Sequence, residues 1–372
     1  MTRYRPTVVE IDLDAVRHNV GLIKPEEAEL MAVVKADGYG HGAVPVARAT
    51  LDAGASRLGV ALVEEGLALR EAGIAAPILV MTECPPGSEK EALEAGLTPS
   101  VYSHGGLEGL AEAAHAAARP VAVHLKLDTG MHRVGLWPPE EAAVFARRIL
   151  DAGLELEGVW THFADSERDD EGTLRQLASF RSAVDALTAA GVRPGLLHAA
   201  NSGATIRLPE TRLDLVRPGA AVYGLDPGEG LAERSGLRPA LAWLSAVAMV
   251  KRLPAGERLS YGGRYELGRA STVATVPVGY DDGYPRTAEG AEVLIGGARR
   301  PVAGTITMDQ ILVDCGDADV TPGDEVVLIG AQGDERITAD ELADRAGTIA
   351  RAIATGIGTR VPREYVSKEG SG

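Results

Sequence analysis

The stretch Leu30–Gly42, LMAVVKADGYGHG, decides the reading of the fold. An apolar run ends abruptly on Lys35, and a loop punctuated by Gly38, Gly40 and Gly42 follows. A short apolar run closed by a turn signal reads as a buried strand. Similar runs recur to about residue 225: PTVVEI before it, then RLGVAL, APILVM, PSVYS, VAVHLKL, LEGVWTHF, GLLHAA and LDLVRPGAAV. Amphipathic segments lie between them. Leu177, Phe180, Val184 and Leu187 share one helix face, as do Ala142, Phe145 and Ile149. Strands alternating with helices predict a parallel α/β fold, and roughly eight such units in about 200 residues fit a (β/α)8 TIM-type barrel.

Beyond residue 238 the rhythm changes. LAWLSAVAMVKRL, STVATVPVG, AEVLIGG, DQILVDCG and DEVVLIG follow one another through Gly and Pro turns, which predicts a mainly β domain. A last helical segment, TADELADRAGTIARAIA, opens on Thr338 as N-cap with Glu341 three positions on. The expected organisation is a barrel over 1–237 and a β domain over 238–372; a chain of 372 residues exceeds what one core usually serves.

Composition narrows the partners. The 53 Asp plus Glu against 37 Lys plus Arg give a formal charge of −16, which repels nucleic acid and anionic lipid and favours a small molecule. Cys84 and Cys315 stand alone, so neither a disulfide framework nor a metal site is expected. The opening MTRYRPTVVEIDLDAV carries no apolar signal core, and no run of 18 apolar residues occurs, so the expected location is cytoplasmic with no membrane span.

Catalytic groups of a (β/α)8 barrel gather at the C-terminal ends of its strands. Five polar clusters fall there: Lys35; Lys126 with Asp128 to Arg133; His162; Asn201 with Ser202; and Arg217 with Gly219. Cations and hydroxyls outnumber carboxylates among them, which points to an anionic ligand, and RPGAAVYG offers backbone N–H groups for a phosphate. A lysine closing a buried strand is placed for Schiff-base chemistry, because desolvation and neighbouring cations depress its pKa. A carbonyl partner carrying a phosphate is pyridoxal phosphate.

Eight segments then resemble one family in its own order: AVVKADGYGHG, HLKLDTGMHRVG, THFADSE, HAANSGA, VRPGAAVYG, LSYGGRY, VPVGYDDGYPR and TMDQILVD. The chain is similar to alanine racemase, a fold-type III pyridoxal 5′-phosphate enzyme, from EIDLDAVRHN to RVPREY. The resemblance implies that Lys35 binds the cofactor and is the base acting on the D-amino acid, with Tyr261 the base on the opposite face. It implies that Tyr39, Ser202, Gly219 and Ala220 contact the phosphate, that His162 and Asn201 line the cofactor, and that Arg217 faces its pyridine nitrogen. Arg133 and the backbone of Met308 would hold the substrate carboxylate; Lys126 matches a lysine carried as a carbamate; Tyr280 narrows the substrate entrance, and Asp309 supports the site. The family also implies a homodimer in which Tyr261 and Met308 serve the partner's site, and a role supplying D-alanine for peptidoglycan.

Three positions depart from the family pattern. Thr307 stands where many members have cysteine, Thr359 where some have a tyrosine reaching the phosphate, and Asp281 where alanine is commoner, adding charge near the entrance. The alternatives are a racemase of the same fold for serine or a broader range of amino acids, a pyridoxal phosphate carrier without turnover, and a decarboxylase of the same two-domain plan. Tyr261 argues against the carrier and Thr307 against the decarboxylase, which keeps a catalytic cysteine on its β domain.

Overall fold

The computed structural model describes residues 4–117 and 120–367. Among the described residues nine strands precede residue 238: β1 (Val8–Asp12), β2 (Glu29–Val33), β3 (Arg57–Val60), β4 (Ile78–Val80), β5 (Thr98–Val101), β6 (Ala122–Lys126), β7 (Glu155–Trp160), β8 (Leu196–His198) and β9 (Leu215–Val216). The chain divides into two compact units, one of them Val16–Tyr39 with Ala43–Arg238. In it β2 to β9 form one eight-stranded parallel sheet in the order β8-β7-β6-β5-β4-β3-β2-β9. The sheet nearly closes: Arg217 N donates to Ala200 O at 2.9 Å and Asp214 N to Leu197 O at 3.0 Å. This is the expected barrel.

Strands walled by helices outside and side chains inside are apolar on both faces. Leu30 to Val33 of β2 and all of β4 are accordingly buried. Outside, the helix Asp170–Ala189 starts at Asp169, whose carboxylate accepts from Gly172 N at 2.8 Å. Its Leu177, Phe180 and Leu187 are buried as expected, while Ala183 takes the place given to Val184, which is half-buried. Each large apolar side chain so buried contributes roughly 1.5–3 kcal/mol. Ala142, Phe145 and Ile149 face inward from Ala142–Asp151.

The second unit is mainly β and holds the remaining described residues. Its largest sheet contains β10 (Leu241–Ala246), which pairs antiparallel with Glu325–Gln332 and with β1, and β1 pairs parallel with Arg363–Val366. The first run, PTVVEI, therefore leaves the barrel expected over 1–237 and joins this sheet, a correction to its placement. Met249–Leu253, Ser271–Val276 and Ile311–Asp314 make a separate antiparallel sheet. The last helical segment is two helices, Ala339–Ala346 and Ala350–Gly356. Glu341 N does donate to Thr338 Oγ1, at 3.0 Å, but Gly347 at φ 68° takes the left-handed position that ends the first helix. Among the described residues no helix is long and apolar enough to cross a membrane, and no group of His, Cys, Asp and Glu could hold a metal ion.

Candidate active site

Parallel strands of one barrel deliver everything that follows them to the same end, and the five polar clusters follow β2, β6, β7, β8 and β9. Lys35 leads into a tight left-handed turn: Ala36, Asp37, Gly38 and Tyr39 all have φ between 51° and 60°. Three of these are not glycine, a costly conformation that surrounding bonds must hold. Ala36 N donates to Glu65 Oε1 at 2.6 Å, Gly38 N to Val34 O at 2.9 Å and Ala43 N to Asp37 Oδ1 at 2.8 Å. The same Glu65 accepts from Ala61 and Leu62, so one carboxylate ties the Lys35 turn to the loop after β3. Sequence reasoning missed Glu65. Burial and then Arg133 lower the Lys35 pKa, against a smaller upward pull from Glu65.

Lys126 ends β6 with its side chain buried, Nζ lying 4.3 Å from the Trp160 ring centroid. Burial, followed by Arg133, Arg217 and Lys35, pulls its pKa down to about 7. Asp128, the carboxylate acting on it, spends one oxygen on the N–H groups of Gly130, Met131 and His132, each at 3.0 Å, which shapes the loop leading to exposed Arg133. Four basic side chains thus share one barrel end with few carboxylates near them, and each disfavours the others' charge. Such a site calls for an anion.

Arg217 ends β9 and is buried beside Trp160, its Cζ 4.7 Å from that ring. Nη2 donates to Thr161 O at 2.6 Å and Ala199 O at 3.0 Å, and Nη1 bonds His198 Nδ1 at 3.1 Å. Nε, also buried, has no hydrogen-bond partner. Burial lowers its pKa, yet a guanidinium starts so high that it stays charged near neutrality. Burial, and then Arg217 before Lys126 and Arg133, hold His162 well below the usual imidazole value, so it is neutral beside Arg217.

Tyr39 and the RPGAAVYG segment form a second corner. A side chain at Gly219 would meet Tyr39 OH at 2.3 Å, so glycine is required for the phenol to lie there. Tyr39 stacks on Tyr223 at 4.9 Å, and Tyr223 OH donates to Val33 O at 3.0 Å, anchoring the pair to β2. Ser202 Oγ accepts from Gly219 N at 3.0 Å and Ala221 N at 3.2 Å. Asn201 caps the short helix Ser202–Arg207: its Oδ1 accepts from Ala204 N at 3.1 Å and from Ser166 Oγ at 2.6 Å. The structure therefore gathers Tyr39, Ser202, Gly219 and Ala220, and adds Ala221, which the sequence did not single out.

Tyr261, Met308, Asp309 and Tyr280 belong to the second unit. Tyr261 is 75 % exposed at the head of a turn, fixed by Thr305 Oγ1 donating to its carbonyl at 3.0 Å and Ser260 Oγ donating to Thr305 O at 2.6 Å. Tyr280 N donates to Thr307 O at 3.0 Å and Asp281 N to Met308 O at 3.1 Å, so these two loops are one piece. Gly279 must lack a side chain there, since one would sit 2.2 Å from Met308 O. Thr307, at the cysteine position, closes its own turn through bonds to Gln310. The Asp281 charge is not loose: Arg360 pairs with Asp281 and, at 2.8 Å, with Asp309, while Arg5 grips Asp282 with both its terminal nitrogens. Neither arginine was flagged by sequence.

The alanine racemase N-terminal domain family matches residues 11–227, and its C-terminal domain family residues 240–365. An alanine racemase of Symbiobacterium thermophilum is 48 % identical, covering 97 % of both chains, and one of Salinispora tropica is 46 % identical over 96 % of this chain and 97 % of its own. The crystal structure of alanine racemase from a D-cycloserine-producing Streptomyces lavendulae superposes with a TM-score of 0.93 at 42 % identity, covering 99 % of this chain and 98 % of that one. That of Bacillus anthracis, with bound L-Ala-P, gives 0.93 at 39 %, covering 99 % and 97 %. With both domain families matched in order and full-length relatives near half identity, the chain belongs to the alanine racemase family.

Proposed function

We propose that this chain interconverts L- and D-alanine with pyridoxal 5′-phosphate held at the barrel mouth, as a cytoplasmic homodimer with shared sites that supplies D-alanine for peptidoglycan. What supports the reading above all is Arg217 Nε, a buried charged donor without an acceptor in a mouth crowded with cations. A buried donor left unpaired is costly, and a pyridine nitrogen is an acceptor of the right kind. The Tyr39, Ser202 and Gly219–Ala220 corner fits a phosphate, with His162 and Asn201 beside it.

Pyridoxal phosphate supplies, when bound, the electron sink that makes a Cα proton removable. Arg217 would donate a hydrogen bond to the ring nitrogen without transferring its proton and has no lone pair to accept one, so that nitrogen would stay unprotonated and the sink weak, which restrains side reactions. Arg133 and the Met308 N–H hold the substrate carboxylate, the latter from the partner subunit. Lys35, its amine pKa depressed, binds the cofactor and moves the proton on the D face of Cα; the partner subunit's Tyr261 moves it on the L face. Inversion requires both, because a proton leaves one face and returns to the other.

Shared sites are tested by mixing. Lys35→Ala and Tyr261→Phe chains, each inactive alone, are denatured together, refolded and assayed. Half the dimers are then mixed, and one of the two sites in each regains both bases, so about a quarter of wild-type activity returns. No recovery in refolded, dimeric mixtures would refute the sharing.

Lys126 completes the charge balance as a carbamate that orients Arg133. The neutral amine attacks CO2, forming an N–C bond and releasing one proton. With its pKa at about 7 rather than 10.5, half the amine is neutral at that pH, and the neutral share grows as pH rises. In 13C-bicarbonate the expected result is a carbamate 13C resonance that strengthens from pH 6 to pH 8 and is missing from Lys126→Ala. A wild-type spectrum without it at pH 8 would contradict the assignment.

A further inference from the structure

Beneath the cation cluster runs a buried chain of side chains that the reaction above does not use. Arg217 Nη1 bonds His198 Nδ1 at 3.1 Å; His198 Nε2 bonds His124 Nδ1 at 2.8 Å; His124 Nε2 bonds Glu157 at 3.2 Å. The other Glu157 oxygen accepts from Arg57 Nη1 at 2.7 Å, and Arg57 Nε reaches Glu29 at 3.2 Å. Both imidazoles are essentially buried, and Gly158 makes room for one of them: a side chain there would lie 2.6 Å from the His124 ring.

Donor counting fixes the direction of every bond. A guanidinium only donates, so His198 Nδ1 accepts and its proton sits on Nε2. His124 Nδ1 must then accept, its proton also sits on Nε2, and an ionised carboxylate is the partner that can take it. Cation and carboxylate agree from opposite ends. A reversed chain would set His198 Nδ1–H against Arg217 Nη1–H, two donors face to face in a buried place.

We propose that Glu157 is a positioning residue for Arg217, holding His124 and His198 in their Nε2–H forms so that the guanidinium is locked with its unpartnered Nε aimed to meet the cofactor. The part about the cofactor rests on the proposed function; the direction of the chain does not. Arg57 gives the lock a particular weakness. In Glu157→Gln the single amide oxygen is claimed by Arg57, a permanent donor, and the amide NH2 is turned toward His124 Nε2. His124 then carries its proton on Nδ1, and the chain reverses against Arg217.

The test combines 15N-histidine NMR of the full chain with titration by pyridoxal phosphate. Wild type is expected to show His124 and His198 as neutral Nε2–H forms. Glu157→Gln is expected to move at least His124 to Nδ1–H and to weaken cofactor binding about tenfold, the loss of one hydrogen bond to a charged group. Adding Arg57→Met frees the amide oxygen to face His124, and the double variant is expected to recover both the tautomers and the affinity. An Nδ1–H or imidazolium form in wild type would overturn the proposal, as would Glu157→Gln with unchanged tautomers and affinity. If Glu157→Gln fails to fold, the wild-type tautomers decide. Wild type that binds no pyridoxal phosphate would refute the proposed function instead, leaving the tautomers to judge this inference separately.

Discussion

Lys35→Ala is expected to abolish the visible absorbance of the cofactor-loaded chain and to lower racemisation by at least about 10⁴-fold, because covalent attachment and one of two proton transfers go together. The fold should not suffer. Lys35 sits where burial, and then Arg133, already disfavour its charge, so removing the amine relieves both, and the melting temperature should hold or rise. A variant that stays coloured and fully active would show that the amine closing β2 is a bystander.

Tyr261→Phe separates the two faces of Cα. It deletes one hydroxyl from a side chain 75 % exposed, so stability and absorbance should match wild type. Racemisation is expected to fall by about 10³-fold, within the range for one general acid–base group. The residual chemistry should be lopsided. Lys35 still serves the D face, so D-alanine should exchange its Cα proton with solvent without inverting, while L-alanine should not exchange. Equal exchange from both enantiomers, or full racemisation, would refute the assignment of Tyr261 as the second base.

The barrel was legible because its strands are continuous apolar runs, five of them closed by polar residues at the same end, and because helical spacing filled the gaps. PTVVEI misled for the same reason. A buried run does not say which sheet buries it, and β1 finds its partner in β10, more than two hundred residues away. The break at Gly347 was readable as a helix stop inside TADELADRAGTIARAIA, yet flanking helical periodicity masked it.

At the site, the residues that end strands were visible and those that brace them were not. His124 stands two positions before Lys126 and so shares its face of β6, a signal that alternation alone could have supplied. Glu157 could not be found that way, because the register between β6 and β7 shifts beside it. Glu65 and Arg360 act through contacts 29 and 51 residues along the chain, to Ala36 and Asp309, and no local pattern marks them. The charge at Asp281, expected near the entrance, is bound to Arg360 because the fold brings the two loops together.

The measurement that bears most directly on the central claim is Cα exchange of L-alanine in D2O by the pyridoxal phosphate-loaded chain, followed by chiral separation of the product. The account predicts deuterium at Cα together with D-alanine, approaching equal amounts of the two enantiomers. A loaded, coloured chain that leaves L-alanine protonated and uninverted would contradict it, and would mark the protein as a cofactor carrier or an enzyme for a different amino acid.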